Sequence, residues 1–310
     1  MRAFFWRRVR LSLSLAVVGA GVLVLGAACG GDGGADSGKV QVVTTLPLFA
    51  DFVRNVGGDR VAVTSLVPAG ADPHTFEPSP SDVKKVAEAD IAFANGLGLE
   101  PAAEKLIAAN LNAGAPFVRL GEEAVQPGID TPAPTDPHLW MDPEMAQKYV
   151  RVIDGKLVAV DPAGADAYAN STLEYIHAIS AAHADASAKT ESIPEGRRKL
   201  VTTHDAFHLL ANALGLQVVA VVVESPGQEP SPGDVANISR TIKEQGVPAV
   251  FREPQLDSEG RVLEQAAKDA GVQVCVLYSD SLDDKVTSYI EMMRFNADEI
   301  VRCLGGDSGG

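Results

Sequence analysis

From Lys39 onward, short and nearly unbroken apolar runs alternate with stretches whose apolar residues recur every three or four positions. The runs predict strands at Val40–Thr44, Val61–Val67, Ile91–Asn95 and Phe117–Leu120, and again at Leu200–Thr203, Val218–Val223, Ala249–Arg252 and Val272–Tyr278. Valine and isoleucine without alternation are expected of parallel strands buried on both faces. Helical spacing fits Leu46–Val56, Ser81–Ala89 and Pro101–Leu111 in the first half. In the second half it fits Phe207–Leu214, Pro232–Gln245, Ser258–Ala270 and a C-terminal segment of about Lys285–Leu304. Strands alternating with helices predict α/β layers with central parallel sheets.

Between the two groups lies a different segment. Asp161 and Pro162 read as an N-cap and first-turn pair, followed by alanine-rich sequence to about Thr190 and a breaker at 193–196. Leu173, Ile176 and Ile179 predict its apolar stripe. A helix of about 29 residues would be about 43 Å long, too long for an ordinary crossover. It is expected to be a rigid strut between two α/β lobes. A repeat supports this: EPSPSDV at 77–83 returns as EPSPGDV at 229–235, each ahead of a helix in its own half. Ser79 or Ser81, and Ser231, are candidate N-caps, with Asp82 and Asp234 favourable to the helix dipole. Two pseudo-symmetric lobes are predicted.

The first 29 residues stand apart. Arg2, Arg7, Arg8 and Arg10 precede an apolar run, Leu11 to Ala28, ending in LGAAC. That is the layout of a secretory signal; an uncleaved membrane anchor is the competing reading. Small residues directly before Cys29 predict lipidation there, although Gly26 replaces a more usual aliphatic residue. The following GGDGGADSG suits a flexible tether. Removing residues 1–28 takes away four arginines and no acid, so the formal charge falls from −15 to −19. Such acidity argues against nucleic acid or an anionic lipid surface as partner and is compatible with attracting cations. If Cys29 carries lipid, Cys275 and Cys303 remain, in an exported and oxidising setting where a disulfide persists. Two unpaired thiols in apolar surroundings are the alternative.

In open α/β sheets, ligands bind outside the carboxyl ends of strands. His74 follows the Val61–Val67 run, His138 follows Phe117–Leu120 after a proline-rich loop, His204 ends Leu200–Thr203, and Asp280 ends Val272–Tyr278. Two come from each half, so they would meet between the lobes. Three imidazoles and one carboxylate make a four-coordinate set suited to Zn²⁺. His177 and His183, six apart on the long helix, cannot chelate together and are expected at the surface. HDAFH at 204–208 is a near miss to H-E-x-x-H, with Asp205 in place of glutamate. His204 is expected to close a strand and His208 to lie on a helix face near the cleft, which would splay the pair.

PHTFEPSPSD, DPHLWMDP, the HDAF turn, FREPQLD and LYSDSL together resemble the metal-binding lipoproteins of bacterial ABC uptake transporters for zinc and manganese. The resemblance spans about 40 to 304. It implies two lobes on a rigid helical backbone, metal between them, and delivery to a membrane permease. Its ligand positions fall on His74, His138, His204 and Asp280. Histidine at 204, where manganese-type members resemble one another in having glutamate, points to a zinc-type member. The segment 121–137 contains no histidine, whereas many zinc-type members carry a histidine-rich insert there. The expected organisation is a signal at 1–28, a tether at 29–39, lobes at 40–160 and 197–305, and a connecting helix at 161–192. The mature protein is expected to be a membrane-anchored, extracytoplasmic monomer.

A zinc hydrolase is the rival class, with Glu253 and Asp205 as its candidate bases. Four protein ligands leave no coordination position for substrate or activated water, which favours binding over catalysis. A second role as an adhesin is required by no sequence feature.

Overall fold

The valine-rich runs pair as two separate parallel sheets of four strands each. In the computed structural model, which describes residues 38–125 and 136–305, the first sheet holds β1 (Val40–Thr44), β2 (Val61–Ser65), β3 (Ile91–Ala94) and β4 (Phe117–Arg119) in the order β2-β1-β3-β4. The second holds β5 (Lys199–His204), β6 (Gln217–Val223), β7 (Ala249–Arg252) and β8 (Gln273–Val276) in the order β6-β5-β7-β8. The two orders are the same, strand for strand. Each of the eight predicted strands is present, with ends shifted by a few residues. Beyond Ser65 the pairing outlasts the strand, since the N–H groups of Leu66 and Val67 still donate to the carbonyls of Thr44 and Thr45. Central β3 is buried along its whole length, as a strand covered on both faces must be.

Helices cover these sheets: α1 (Pro47–Gly57), α2 (Pro80–Ala87), α3 (Pro101–Asn110) and the short α4 (Leu120–Ala124) in the first lobe. The second carries α7 (His208–Ala213), α8 (Pro232–Gln245), α9 (Asp257–Ala270) and α10 (Tyr289–Leu304); α5 (Pro143–Val160) packs on α1 and α4 of the first lobe, and α6 (Ala165–Glu191) joins the lobes. The repeated motif opens α2 and α8 in the same way. The Ser79 and Ser231 backbone N–H groups donate to the carboxylates of Asp82 and Asp234 at 2.8 and 2.9 Å. Such caps stabilise a helix by about 1 kcal/mol.

Three expectations need correction. The eighteen-residue helix α5 was not foreseen, although Met145, Tyr149, Val150, Ile153 and Leu157 repeat at helical spacing and are buried. Leu173 is not part of the long helix's apolar stripe. It is 51% exposed, and the buried line runs instead through Thr172, Tyr175, Ile176, Ile179, Ala182 and Ala186. A strict three-residue step drifts off a face that turns every 3.6 residues. Asp161 does not cap that helix: a short 3₁₀ turn, Pro162–Gly164, intervenes, and the carboxylate is held by Arg60 at 2.8 and 2.9 Å and by the Tyr168 hydroxyl at 2.7 Å.

The lobes share one core. Phe49 and Phe52 of α1 meet Trp140, Tyr149 of α5, Tyr175 of α6 and Tyr289 of α10 with ring centroids 5.1–6.5 Å apart. All are buried within the same apolar cluster. Among them Asp51 accepts from the Tyr175 hydroxyl at 2.9 Å and from the Tyr289 N–H at 3.0 Å. Burial pushes this carboxyl above its ordinary value, against the pull of those bonds. Cys275 of β8 and Cys303 of α10 form a disulfide, with Cα atoms 6.7 Å apart.

Candidate metal centre

Strand order says where the chemistry collects. In each sheet the chain reverses direction of travel between the first and third strands of its lobe, and ligand crevices open at the carboxyl side of that point. His204 is the last residue of β5, Glu253 directly follows β7, and Asn95 directly follows β3. The β1 and β5 ends are themselves related, TTLPLF at 44–49 matching TTHDAF at 202–207. Leu46 thus occupies in one lobe the place His204 holds in the other.

His74, His138, His204 and Asp280 come together as the sequence predicts, each offering one ligand atom within 4.8 Å of all the others. The imidazole Nε2 atoms of His138 and His204 are 3.3 Å apart, and those of His74 and His138 3.4 Å. Asp280 carboxylate oxygens stand 3.6 Å from His74, 3.6 Å from His138 and 3.3 Å from His204. A tetrahedron with metal–ligand bonds of about 2.0–2.2 Å has edges of about 3.3–3.6 Å, whereas an octahedron with the same bonds has edges of about 2.8–3.1 Å. The separations leave room for one ion among the four side chains.

Burial sharpens the electrostatics. His204 and Asp280 are fully buried and His138 is 2% exposed, so His74 alone reaches the mouth. Burial would lower the basicity of His204, but the charges of Glu253 and Asp280 outweigh it and hold the imidazole well above the ordinary histidine value. Burial would likewise raise Asp280, yet His138 and His204 hold its carboxyl well below the usual range. Both shifts express one fact: a buried carboxylate surrounded by imidazoles demands a positive charge.

Neighbouring groups fix these side chains. Asp136 Oδ1 takes both the backbone N–H and Nδ1 of His138 at 2.9 Å, turning Nε2 toward the centre. Asn95 donates its amide to the Pro137 carbonyl at 2.8 Å, while its own oxygen accepts from the Tyr149 hydroxyl at 2.7 Å. Its backbone N–H goes to buried Glu100 at 2.6 Å. After Asn95 the chain takes three left-handed residues, Gly96, Leu97 and Gly98, at φ 77°, 55° and 80°. Two are glycine, as that conformation favours, and Leu97 bears the strain beside the cleft. Gly121 donates to the Asn95 carbonyl, and a Cβ there would lie 2.9 Å from that same oxygen. Only glycine fits. Asp72 accepts from the His74 N–H at 3.2 Å, and burial raises its carboxyl.

Outside these four side chains a cleft of about 570 Å³ opens, lined by Leu97, Gly98, Asp136, Asp205, His208 and Glu224 among others. His208, the first residue of α7, is half exposed and pairs with Asp205 at 2.8 Å, splayed away from His204. His177 is exposed as expected, whereas His183 is half-buried with Nε2 3.2 Å from the Ala213 carbonyl, so its surface assignment is corrected. The two candidate bases are otherwise engaged: Asp205 with His208, and Glu253 with His204 and Ser279. Sequence reasoning did not foresee the roles of Asn95, Glu100 and Asp136; the aspartate two residues ahead of His138 was the legible signal. Cys29 lies outside the described residues.

Comparison with known proteins places the chain in a family. The family described as zinc-uptake complex component A, periplasmic (ZnuA), matches residues 42–303. The metal ABC transporter substrate-binding lipoprotein FimA of Streptococcus parasanguinis is 30% identical, covering 86% of this chain and 90% of its own. The manganese-binding lipoprotein MntA of Halalkalibacterium halodurans is 29% identical over 91% of this chain and 95% of its own. Among solved structures, the periplasmic zinc-binding protein TroA of Treponema pallidum superposes with a TM-score of 0.79 at 27% identity, covering 86% of this chain and 99% of that one. An Mn-bound periplasmic metal-binding protein from candidatus Liberibacter asiaticus follows with a TM-score of 0.74 at 26% identity over the same shares.

Proposed function

The chain belongs to the zinc-uptake complex component A family, the metal-binding components of ABC uptake transporters, and on that premise we propose that its cargo is Zn²⁺, held by His74, His138, His204 and Asp280. Members of this family are extracytoplasmic solute-binding proteins rather than enzymes, and their ion passes to a membrane permease. The observation that carries zinc over manganese is His204. A buried set of three imidazoles and one carboxylate, each offering one atom to a shared centre, suits a borderline-soft ion that accepts four ligands. Mn²⁺ prefers more oxygen and six positions, and the Irving–Williams order already places it below Zn²⁺.

A manganese reading is favoured by the relatives named for manganese and by the Mn-bound neighbour. Competition titration of the metal-free protein with both ions at neutral pH separates the two. Zn²⁺ is expected to bind at one site and more tightly; equal or tighter Mn²⁺ binding overturns the zinc assignment and leaves metal uptake standing.

The remaining organisation completes the proposal. Residues 1–28 act as a lipoprotein signal, Cys29 carries the lipid, and 29–39 tether lobes 40–160 and 197–305, joined through 161–192, to the membrane as a monomer. Fatty-acid labelling that persists in Cys29→Ala would remove the anchor from this picture.

A further inference from the structure

His204 has two ring nitrogens, and they face different groups. Nε2 points to the shared centre, 3.3 Å from His138 and 3.3 Å from Asp280, while Nδ1 lies 2.6 Å from Glu253 Oε2. For Nε2 to offer its lone pair to an ion, the proton must reside on Nδ1. A buried N–H needs an acceptor, and the group in reach is that carboxylate. We propose that Glu253 is a positioning residue that fixes which nitrogen of His204 meets the ion and sets how strongly that nitrogen donates. This inference rests on the ligand assignment above.

Glu253 is itself held for the purpose. It directly follows β7, its side chain is fully buried, and its backbone N–H donates to Thr203 Oγ1 at 3.1 Å. Oε1 accepts from the His204 backbone N–H at 3.2 Å, and Oε2 accepts from Ser279 Oγ at 2.6 Å. Ser279 is in turn fixed by Gln255 at 2.9 Å and immediately precedes Asp280. One carboxylate therefore accepts from the main chain of one ligand, stands against the ring of that ligand, and holds the residue before another. The Nδ1 approach is close but lacks the alignment of a hydrogen bond.

The counterpart in the other lobe differs in a telling way. Asn95, which follows β3 as Glu253 follows β7, holds the main chain ahead of His138 through a neutral amide, and the charge on His138 Nδ1 comes instead from Asp136. Both buried histidines thus have a carboxylate behind them, supplied from non-equivalent positions. Two such carboxylates strengthen imidazole donation, which matters more to an ion bound through nitrogen than to one bound through oxygen.

The test is Zn²⁺ and Co²⁺ titration of the mature chain and of Glu253→Gln, Glu253→Asp and His204→Ala. Glu253→Gln keeps the shape and loses the charge; its Zn²⁺ affinity is expected to fall about 10–100-fold. The visible bands of its Co²⁺ form should shift, a change at the ion that a loss of stability alone would not produce. Glu253→Asp, with the charge kept but withdrawn by one methylene, should recover part of the loss. Affinity within threefold of the parent in Glu253→Gln, while His204→Ala abolishes binding, overturns the role of Glu253 alone. Parental affinity in His204→Ala overturns the ligand assignment beneath it. Should Glu253→Gln not fold, ¹⁵N NMR of the zinc-loaded parent decides: a protonated Nδ1 on His204 is expected, and a metal-bound Nδ1 overturns the proposal.

Discussion

Trp140 reaches across the molecule and donates its indole N–H to the main-chain oxygen of Ser279 at 3.0 Å, one residue ahead of Asp280. The tryptophan itself is anchored by Tyr289, whose hydroxyl donates to the Trp140 carbonyl at 2.7 Å. On the other side, the Gly70 N–H donates to Leu282 at 2.8 Å and Ser281 at 2.9 Å. Both segments that bring histidines from the first lobe are therefore bonded to the residues flanking Asp280.

Trp140→Phe should keep most of the ring packing and leave the Ser279 carbonyl without its donor. A net loss of about 1 kcal/mol in stability is expected, with a several-fold weaker ion affinity because Asp280 is less firmly seated. Urea unfolding and Zn²⁺ titration on the same variant measure both. An affinity equal to the parent would detach Asp280 from the Trp140 bond.

His204→Ala should lose ion binding by at least 100-fold, and His208→Ala should change it by less than threefold. Position motivates the contrast: one imidazole is fully buried at the centre, and the other is half exposed and paired with Asp205. His204→Glu should shift preference toward Mn²⁺ by adding a hard oxygen ligand and a charge. Isothermal titration with each ion checks all three variants.

Stability should depend on Glu100. Burial raises its carboxyl to about 7, although Thr45 Oγ1 and the Asn95 N–H both donate to it. The folded state thus keeps a proton that the unfolded chain has released, so this group weakens the fold as pH climbs from about 4.5 to 7. Above that range its effect is constant. The shift corresponds to about 3 kcal/mol at most. Glu100→Gln should flatten that part of the curve, which unfolding at pH 5 and pH 8 would reveal; an unchanged slope rules the carboxyl out.

Opening the Cys275–Cys303 bridge, which closes a separation of 28 residues, should cost about 3–4 kcal/mol on the chain-entropy account. Cys275→Ser with Cys303→Ser, compared with the parent in denaturant, measures it. Two free thiols in the unreduced parent would refute the pairing.

Much of this arrangement was legible in the residues. Candidate ligands at strand ends can be found from apolar runs alone, because parallel sheets gather strand ends at one edge: His204 ends β5, and Asp280 lies four residues past β8. The partners behind them are harder. Glu253 and His204 are 49 positions apart and meet only because β5 lies beside β7. Asn95 was read as the last residue of a strand, and nothing in its neighbourhood announces that it holds Pro137. Helix α5 was legible as well, since Met145, Tyr149, Ile153 and Leu157 keep a regular helical spacing between DPHLWMDP and Pro162. Leu173 shows the reverse error, a three-residue rhythm taken for a face.

The aromatic cluster that runs from Phe49 through Tyr175 to Tyr289 makes the two lobes thermodynamically indivisible. A chain cut within α6 would leave Phe52 and Tyr149 on one piece and Tyr289 on the other, each facing water where a ring had been. Neither fragment closes its own interior. Calorimetry of the whole chain is therefore expected to show a single melting event.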